Sequence, residues 1–200
     1  MPTIDDFRTA LASHPPRLAT RTEKTPAAVA IIFHDRADES HLLFIERTRQ
    51  EGDPWSGHIA FPGGRLEEED ADLRAAAERE TMEEVGLCLD AAEYLGRLDD
   101  LTGSTLPVQV AGFAYCVEEF AALAPNGEVQ EAFWVPIGHL LDPERHLEKQ
   151  FPFRGLENRI LPAIDILGPD RPVLWGITYR FVSQLFALAG YPLPGAGGEL

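Results

Sequence analysis

The stretch from Phe61 to Leu87 constrains this chain more than any other, because it gathers carboxylates where a folded helix gains nothing from them. It reads Phe61-Pro62-Gly63-Gly64-Arg65-Leu66, then an acidic loop Glu67-Glu68-Glu69-Asp70-Ala71-Asp72, and ends Arg79-Glu80-Thr81-Met82-Glu83-Glu84-Val85-Gly86-Leu87. The residues from Asp72 to Val85 predict a helix, and Gly86 follows where a left-handed residue is usually needed to end one. Successive helical residues rotate by about 100°, so Glu80, Glu83 and Glu84 fall within an arc of about 100°. Like charges at this spacing cost about 0.2–0.5 kcal/mol per pair. An arbitrary pattern of this kind is most simply a solvated acidic face. Three neighbours argue against that here: a double glycine that lets backbone approach a ligand closely, the acidic loop that follows it, and an arginine directly before the first glutamate. A hard divalent cation would reverse the repulsion, since Mg²⁺ prefers carboxylate oxygen and keeps several of its waters.

Around this stretch the chain alternates strand and helix signals without a long linker. Ile4–Ser13 predicts a short helix closed by Pro15-Pro16, and Ala27–His34 predicts a buried strand, being almost continuously apolar. His41–Glu46 reads as the second arm of a hairpin, and a charged loop from Arg47 to Ser56 leads to a short strand at Gly57–Phe61. Further strands are expected at Tyr94–Leu98, Pro107–Val117 and Ala132–Val135, with a turn at Pro125-Asn126-Gly127. A short helix from Pro136 to Leu141, an extended segment at Asn158–Ile166 and an amphipathic helix from Pro172 to Leu188 complete the series. The expectation is one α/β domain over residues 25–190, with an N-terminal helical extension over 1–24 and a flexible tail over 191–200.

Charge and composition then exclude whole classes. With 17 Lys+Arg against 33 Asp+Glu the formal net charge is −16, which argues against nucleic acid and against an anionic membrane surface as partners. No stretch reaches the roughly 18 consecutive apolar residues of a membrane span. Met1–Asp6 has neither a basic nor an apolar leader region, and Cys88 and Cys116 form no CxxC pair, so a cytoplasmic protein with two reduced thiols is expected. There is no GxGxxG, no GxxxxGK[ST], no GxSxG and no histidine spacing of a zinc site.

In register, Arg79-Glu80, Glu83-Glu84 and Gly86-Leu87 resemble the Nudix box: a glycine, a spaced acid, then Arg-Glu-(apolar)-x-Glu-Glu-x-Gly-(apolar). Thr81 stands at an apolar position, and Gly64 lies one residue farther from Arg79 than in the commonest form, so Ala71 falls where the upstream acid is counted and the resemblance points to Asp70, with Asp72 second, as its substitute. Leu42-Leu43-Phe44-Ile45-Glu46-Arg47-Thr48 and Gly57-His58-Ile59-Ala60-Phe61-Pro62-Gly63-Gly64 are similar to the upstream signature of the coenzyme A pyrophosphatase branch. Thr48 and His58 depart from it, and the intervening loop with Asp53-Pro54-Trp55-Ser56 is one residue longer. Pro125–Pro136 and Trp175-Gly176-Ile177-Thr178 extend the likeness downstream.

This resemblance implies an α/β/α sandwich around a mixed sheet and Mg²⁺- or Mn²⁺-dependent hydrolysis of a nucleoside-linked pyrophosphate. Coenzyme A or an acyl derivative, split into 3′,5′-ADP and 4′-phosphopantetheine, is the leading substrate. ADP-ribose, a dinucleoside polyphosphate or an oxidised nucleoside triphosphate follows, and a catalytically silent nucleotide-binding module is the least favoured reading. It also implies that Glu80, Glu83 and Glu84, with the Gly64 carbonyl, hold metal, and that Arg79 orients one of these glutamates by a bidentate ion pair. Glu128 or Glu131 is the further acid. Arg47, Arg49, Arg65, His58 and the Gly63-Gly64 backbone are candidates for substrate contact. Oligomeric state stays open between a monomer and a homodimer.

Overall fold

A computed structural model of the protein describes residues 1–20, 24–35, 39–52, 55–103, 107–118, 122–151 and 159–195. The elements are α1 (Ile4–Ser13), β1 (Thr25–Asp35), β2 (Ser40–Arg47), β3 (Ile59–Ala60), β4 (Gly63–Arg65), α2 (Leu73–Val85), β5 (Glu93–Arg97), β6 (Leu101–Thr102) and β7 (Val108–Val117). They continue with β8 (Val129–Pro136), α3 (Ile137–Leu141), β9 (His146–Gln150), β10 (Ile160–Ile164), β11 (Leu174–Trp175) and α4 (Gly176–Leu188).

The apolar run at Ala27–His34 is continuous because β1 is covered on both faces. Strand side chains alternate, and here Ala28, Ala30 and Ile32 join a core beneath α2, while Ala27, Ile31 and Phe33 join a core beneath α1 and α4. β1 runs parallel to β7 from Thr25↔Val108 to His34↔Val117 and antiparallel to β2 and β4. The eight-stranded sheet follows the order β3-β2-β1-β7-β5, with β4 on β1, β6 on β7 and β8 on β2. The parallel pairing of β1 with β7 makes it mixed, and helices on both faces make the architecture an α/β/α sandwich, as expected. A second sheet of three strands, β11-β10-β9, is built by the C-terminal segment. No helix among the described residues is long and apolar enough to cross a membrane.

Helix α1 lies within the second core rather than beside it. Thr3 and Asp6 form its capping box, with the Thr3 N–H donating to Asp6 Oδ2 at 2.7 Å. Phe7 is fully buried, its ring centroid 4.9 Å from Phe33 and 5.2 Å from Phe186. The segment that follows is pinned by Asp99, whose carboxylate meets His14 Nε2, the Arg17 N–H and Arg17 Nε, each at 2.8 Å. The Asp99 N–H in turn donates to Gln184 Oε1 of α4 at 3.0 Å.

Several boundaries differ from the expectation. Gly57–Phe61 narrows to β3, because the Arg47 N–H takes the His58 carbonyl at 3.0 Å and the Ala30 N–H takes the Pro62 carbonyl at 2.9 Å, drawing the chain inward toward β4. The last helix starts at Gly176 rather than Pro172, since Leu174–Trp175 pairs with β10. Strands β4, β6 and β9 are too short or too polar to signal themselves. Within the segment expected as a tail over 191–200, Leu193 is buried in the core; residues 196–200 lie outside the described residues, as do Asp53, Pro54 and Asn158.

Asp99→Ala removes the acceptor shared by His14 and Arg17. It is expected to cost about 1–3 kcal/mol of stability and to speed amide exchange in α1 relative to α2. Unchanged exchange across residues 4–18 would show that Asp99 does not hold this segment.

Candidate functional site

The face of α2 that meets the sheet is made of small side chains. Ala76, Ala77 and Thr81 are fully buried, and the Thr81 hydroxyl is satisfied inside the helix by the Ala77 carbonyl at 2.7 Å. Threonine is therefore tolerated where an apolar residue is usual. Continuing the same stripe by one helical turn places Glu84 at the centre of the buried face, Glu80 on its flank and Glu83 at its outer margin. The exposures follow that order: 2%, 17% and 54% of the side chain. So the three carboxylates do not form one solvated surface; they run from core to water.

Glycine makes the inner end of this gradient feasible. Asp72 caps α2 by accepting from the Ala75 N–H at 2.9 Å, and Gly86 closes it at φ 69°. Gly63, at φ 151°, packs so tightly on β1 that a Cβ would overlap the Ala28 carbonyl; its N–H donates to Glu84 Oε2 at 2.9 Å. A Cβ at Gly64 would overlap the carboxylate of Glu80. The glycine pair is thus the floor on which two of the glutamates rest.

Arg79 does not fork onto a box glutamate as expected. Its bidentate partner is Asp70, reached by Nε at 2.9 Å and Nη2 at 3.0 Å, and Nη2 also donates to the Arg65 carbonyl at 3.1 Å. Its Nη1 lies 3.3 Å from Glu80 and 3.1 Å from Glu83. The hydrogen-bonded guanidinium holds the Asp70 carboxyl below its ordinary range. One arginine therefore ties the acidic loop, the end of β4 and α2 together, and Asp70 acts as its anchor.

The electrostatics of the pair behind it run the other way. Burial raises the Glu84 carboxyl to about 7, against the opposing pull of the Gly63 N–H and of Arg47, whose Nη1 stands 3.5 Å from Glu84 Oε1; Glu80 and Glu128 raise it further. Burial is also the first cause that raises Glu80, ahead of the lowering by Arg79 and the raising by Glu83 and Glu128. Both are hard oxygen donors short of positive charge. As the side chains lie, no three His, Cys, Asp or Glu side chains among the described residues already enclose a metal position. The chemistry of the set still fits a divalent cation, because a cation would supply what burial withholds.

The remaining candidates separate. Glu128 is exposed, acts on Glu80 and Glu84 through charge, and is held by backbone contacts: its carbonyl accepts from the Thr48 N–H, and its N–H donates to Asn126 Oδ1, both at 2.8 Å. Glu131 is placed elsewhere. It stands opposite Glu46 in the β2–β8 register, on the face turned toward α4, and meets Arg171 Nη2 at 2.5 Å. This separates it from the box glutamates and leaves Glu128 as the nearer acid. Arg47 belongs to the site through Glu84. The Arg49 side chain lies over Gly57, Arg65 contributes its carbonyl to Arg79, and the His58 ring packs edge-on against Trp175 at 4.9 Å. Arg171 stands in a loop with no motif around it and carries no signal in the sequence beyond its place among sparse cations.

A family model described as NUDIX domain matches residues 24–154. The human mitochondrial coenzyme A diphosphatase NUDT8 is 32% identical over 193 residues, covering 89% of this chain and 79% of its own. The mouse peroxisomal coenzyme A diphosphatase NUDT7 is 32% identical over 157 residues, covering 77% of this chain and 63% of its own. Among solved structures, a MutT/nudix family protein from Enterococcus faecalis superposes with a TM-score of 0.56 at 18% identity, over 93% of this chain and 69% of that one.

Glu84 also gives a pH dependence of stability. A carboxyl raised from 4.5 to about 7 binds more protons folded than unfolded, so its contribution is fully present below about 4.5 and is lost as pH rises through about 7. In chelator, the thermal midpoint of the wild type is expected to fall between pH 5 and 8 more steeply than that of Glu84→Gln. Parallel profiles would contradict the buried, charge-starved carboxylate.

Proposed function

Since this chain belongs to the Nudix family, we propose that it hydrolyses the pyrophosphate of coenzyme A or an acyl derivative to 3′,5′-ADP and a 4′-phosphopantetheine product. The observation that carries the catalytic part is the glycine floor beneath a buried Glu84 and a partly buried Glu80, two carboxylates that burial pushes toward the protonated form. The substrate part rests on the Leu42–Thr48 and Gly57–Gly64 segments and on similarity to NUDT8 and NUDT7.

In this reading Glu80, Glu83 and Glu84, with the Gly64 carbonyl, hold Mg²⁺ or Mn²⁺. Such ions, when bound, screen the diphosphate, polarise phosphorus and lower the pKa of a water. The protein groups do the rest. Gly63 and Arg47 hold Glu84 in a single orientation through its two oxygens, at 2.9 and 3.5 Å. Arg79, fixed by Asp70, keeps Glu80 and Glu83 on one side of the helix. Glu128 takes the proton of the attacking water as its oxygen bonds to one phosphorus and the bridging P–O bond breaks; two phosphomonoesters leave. The compartment inferred is the cytoplasm, in keeping with two thiols, Cys88 and Cys116, that stand unbridged.

Glu83→Gln is expected to lower Mg²⁺-dependent turnover by about a hundredfold or more while the thermal midpoint stays close to wild type. An unchanged rate would remove Glu83 from the metal site. Substrate is decided by a panel of coenzyme A, ADP-ribose, NADH, Ap4A and 8-oxo-dGTP, read by phosphate release after phosphatase coupling. Coenzyme A should be turned over fastest; if it is inert and another compound reacts, the substrate is wrong and the reaction class stands.

A further inference from the structure

At the ends of β2 and β8, on the sheet face opposite α2, lies a cavity of about 450 Å³ lined by Glu46, Thr48, Arg49, Gln130, Glu131 and Arg171. It adjoins the carboxylate site around the strand end. Strand alternation sends Glu46 to this face and Arg47 to the other, where it meets Glu84, and the Thr48 N–H bonds to the Glu128 carbonyl at 2.8 Å. The cavity and the glutamates thus share the end of β2, one on each face of the sheet.

The two arginines decide what this cavity accepts. Glu46 and Glu131 face each other in register, an arrangement that repels, and both are met by a single nitrogen, Nη2 of Arg171, at 3.0 and 2.5 Å. A guanidinium carries five donor hydrogens, and neither Nε nor Nη1 of Arg171 is engaged by a described residue. Among the described residues, the arginine is anchored with its donor capacity largely unspent. Its loop is stiff: Pro169 and Pro172 flank it, Asp170 sits at φ 64°, and the Gly168 N–H is bound by Asp165 Oδ1 at 2.7 Å. Arg49, across the cavity, makes no ion pair among the described residues. In a chain of net charge −16, this is a place where two cations converge on an open volume, whereas Arg47 and Arg79 are already held by carboxylates. Of the two local carboxylates, Glu46 is nearly buried and stays to anchor Arg171; Glu131, with 48% of its side chain exposed, is able to turn into solvent as another anion arrives.

The geometry assigns this cavity to a phosphomonoester on the nucleoside half of the substrate, with Arg171 and Arg49 as the residues that select the phosphorylated form over its dephosphorylated counterpart. This rests on the coenzyme A reading above for the identity of the substrate, though not for the chemistry of the subsite. Arg171 is a specificity residue here, without a part in bond cleavage.

The test compares kcat/KM for coenzyme A and 3′-dephospho-coenzyme A in the wild type, Arg171→Ala, Arg171→Lys and Arg49→Ala. Arg171→Ala is expected to lower the preference for coenzyme A about tenfold or more, through KM, with the dephospho form changed less than about twofold. Lysine, a point charge without the fork, should restore part of it. Arg49→Ala disturbs no buried partner and should lower the same preference even if Arg171→Ala fails to fold. Equal losses on both substrates, or none, would overturn the assignment. Titration of the full-length protein with 3′,5′-ADP and with 5′-AMP, Mg²⁺ present, is independent of turnover. The wild type should bind 3′,5′-ADP about tenfold tighter or more, and Arg171→Ala should erase the difference. If neither coenzyme A form is turned over, the substrate reading fails, and this titration still decides the subsite. Equal binding of the two nucleotides, or inorganic phosphate alone binding as tightly as 3′,5′-ADP, would overturn it.

Discussion

The hydrogen bond from the Gly63 N–H to the Glu84 carboxylate is the contact around which the site is organised. It ties a short strand on the central sheet to a helix packed above it, and it does so through a charge that lies almost wholly out of water. Burying a carboxylate is costly unless it is hydrogen-bonded and paired, and here the pairing is partial: one backbone donor and an arginine at 3.5 Å. The helix approaches closely enough only because its inner stripe is Ala76, Ala77 and Thr81, and the strand approaches only because it begins Gly63-Gly64. Removing any of these small residues would separate the two elements that present the acids.

What surrounds that contact serves to keep charge in order. Arg79 gives its fork to Asp70 and its remaining nitrogen to Glu80 and Glu83, so the loop, the strand and the helix share one cation. This arrangement orients the outer acids while leaving the inner pair short of compensation. On the opposite face, Arg171 does for Glu46 and Glu131 what Arg79 does for the box, again with one guanidinium joining segments distant in sequence. Both arrangements show how a strongly acidic chain places its few arginines where they bind several acids at once.

Much of this was legible in the sequence. The period of α2 put Glu80, Glu83 and Glu84 on one stripe, Gly86 marked its end, and the unbroken apolar run at Ala27–His34 announced a strand covered on both faces. The order of burial along the stripe was not legible, because the alanines that share the inner face with Glu84 are as compatible with a solvated helix as with a packed one. Glu131 illustrates a different limit. Its alternation within β8 sends it to the far face, but that depends on the register with β2, which the sequence does not display. Arg171 lay beyond reach for a similar reason: it meets Glu46 across a long separation in the chain, through a loop that carries no motif.

The central claim is that Glu80 and Glu84 form a site whose charge is completed by a divalent cation. A carboxyl raised to about 7 must give up its proton to bind one, so calorimetric titration with Mn²⁺, repeated in buffers of different ionisation enthalpy, reads the coupling directly. The account predicts release of about one proton per Mn²⁺ at pH 6, falling toward zero by pH 8, and loss of that release in Glu84→Gln. Mn²⁺ binding with no proton released at pH 6, or no Mn²⁺ binding at all, would contradict it.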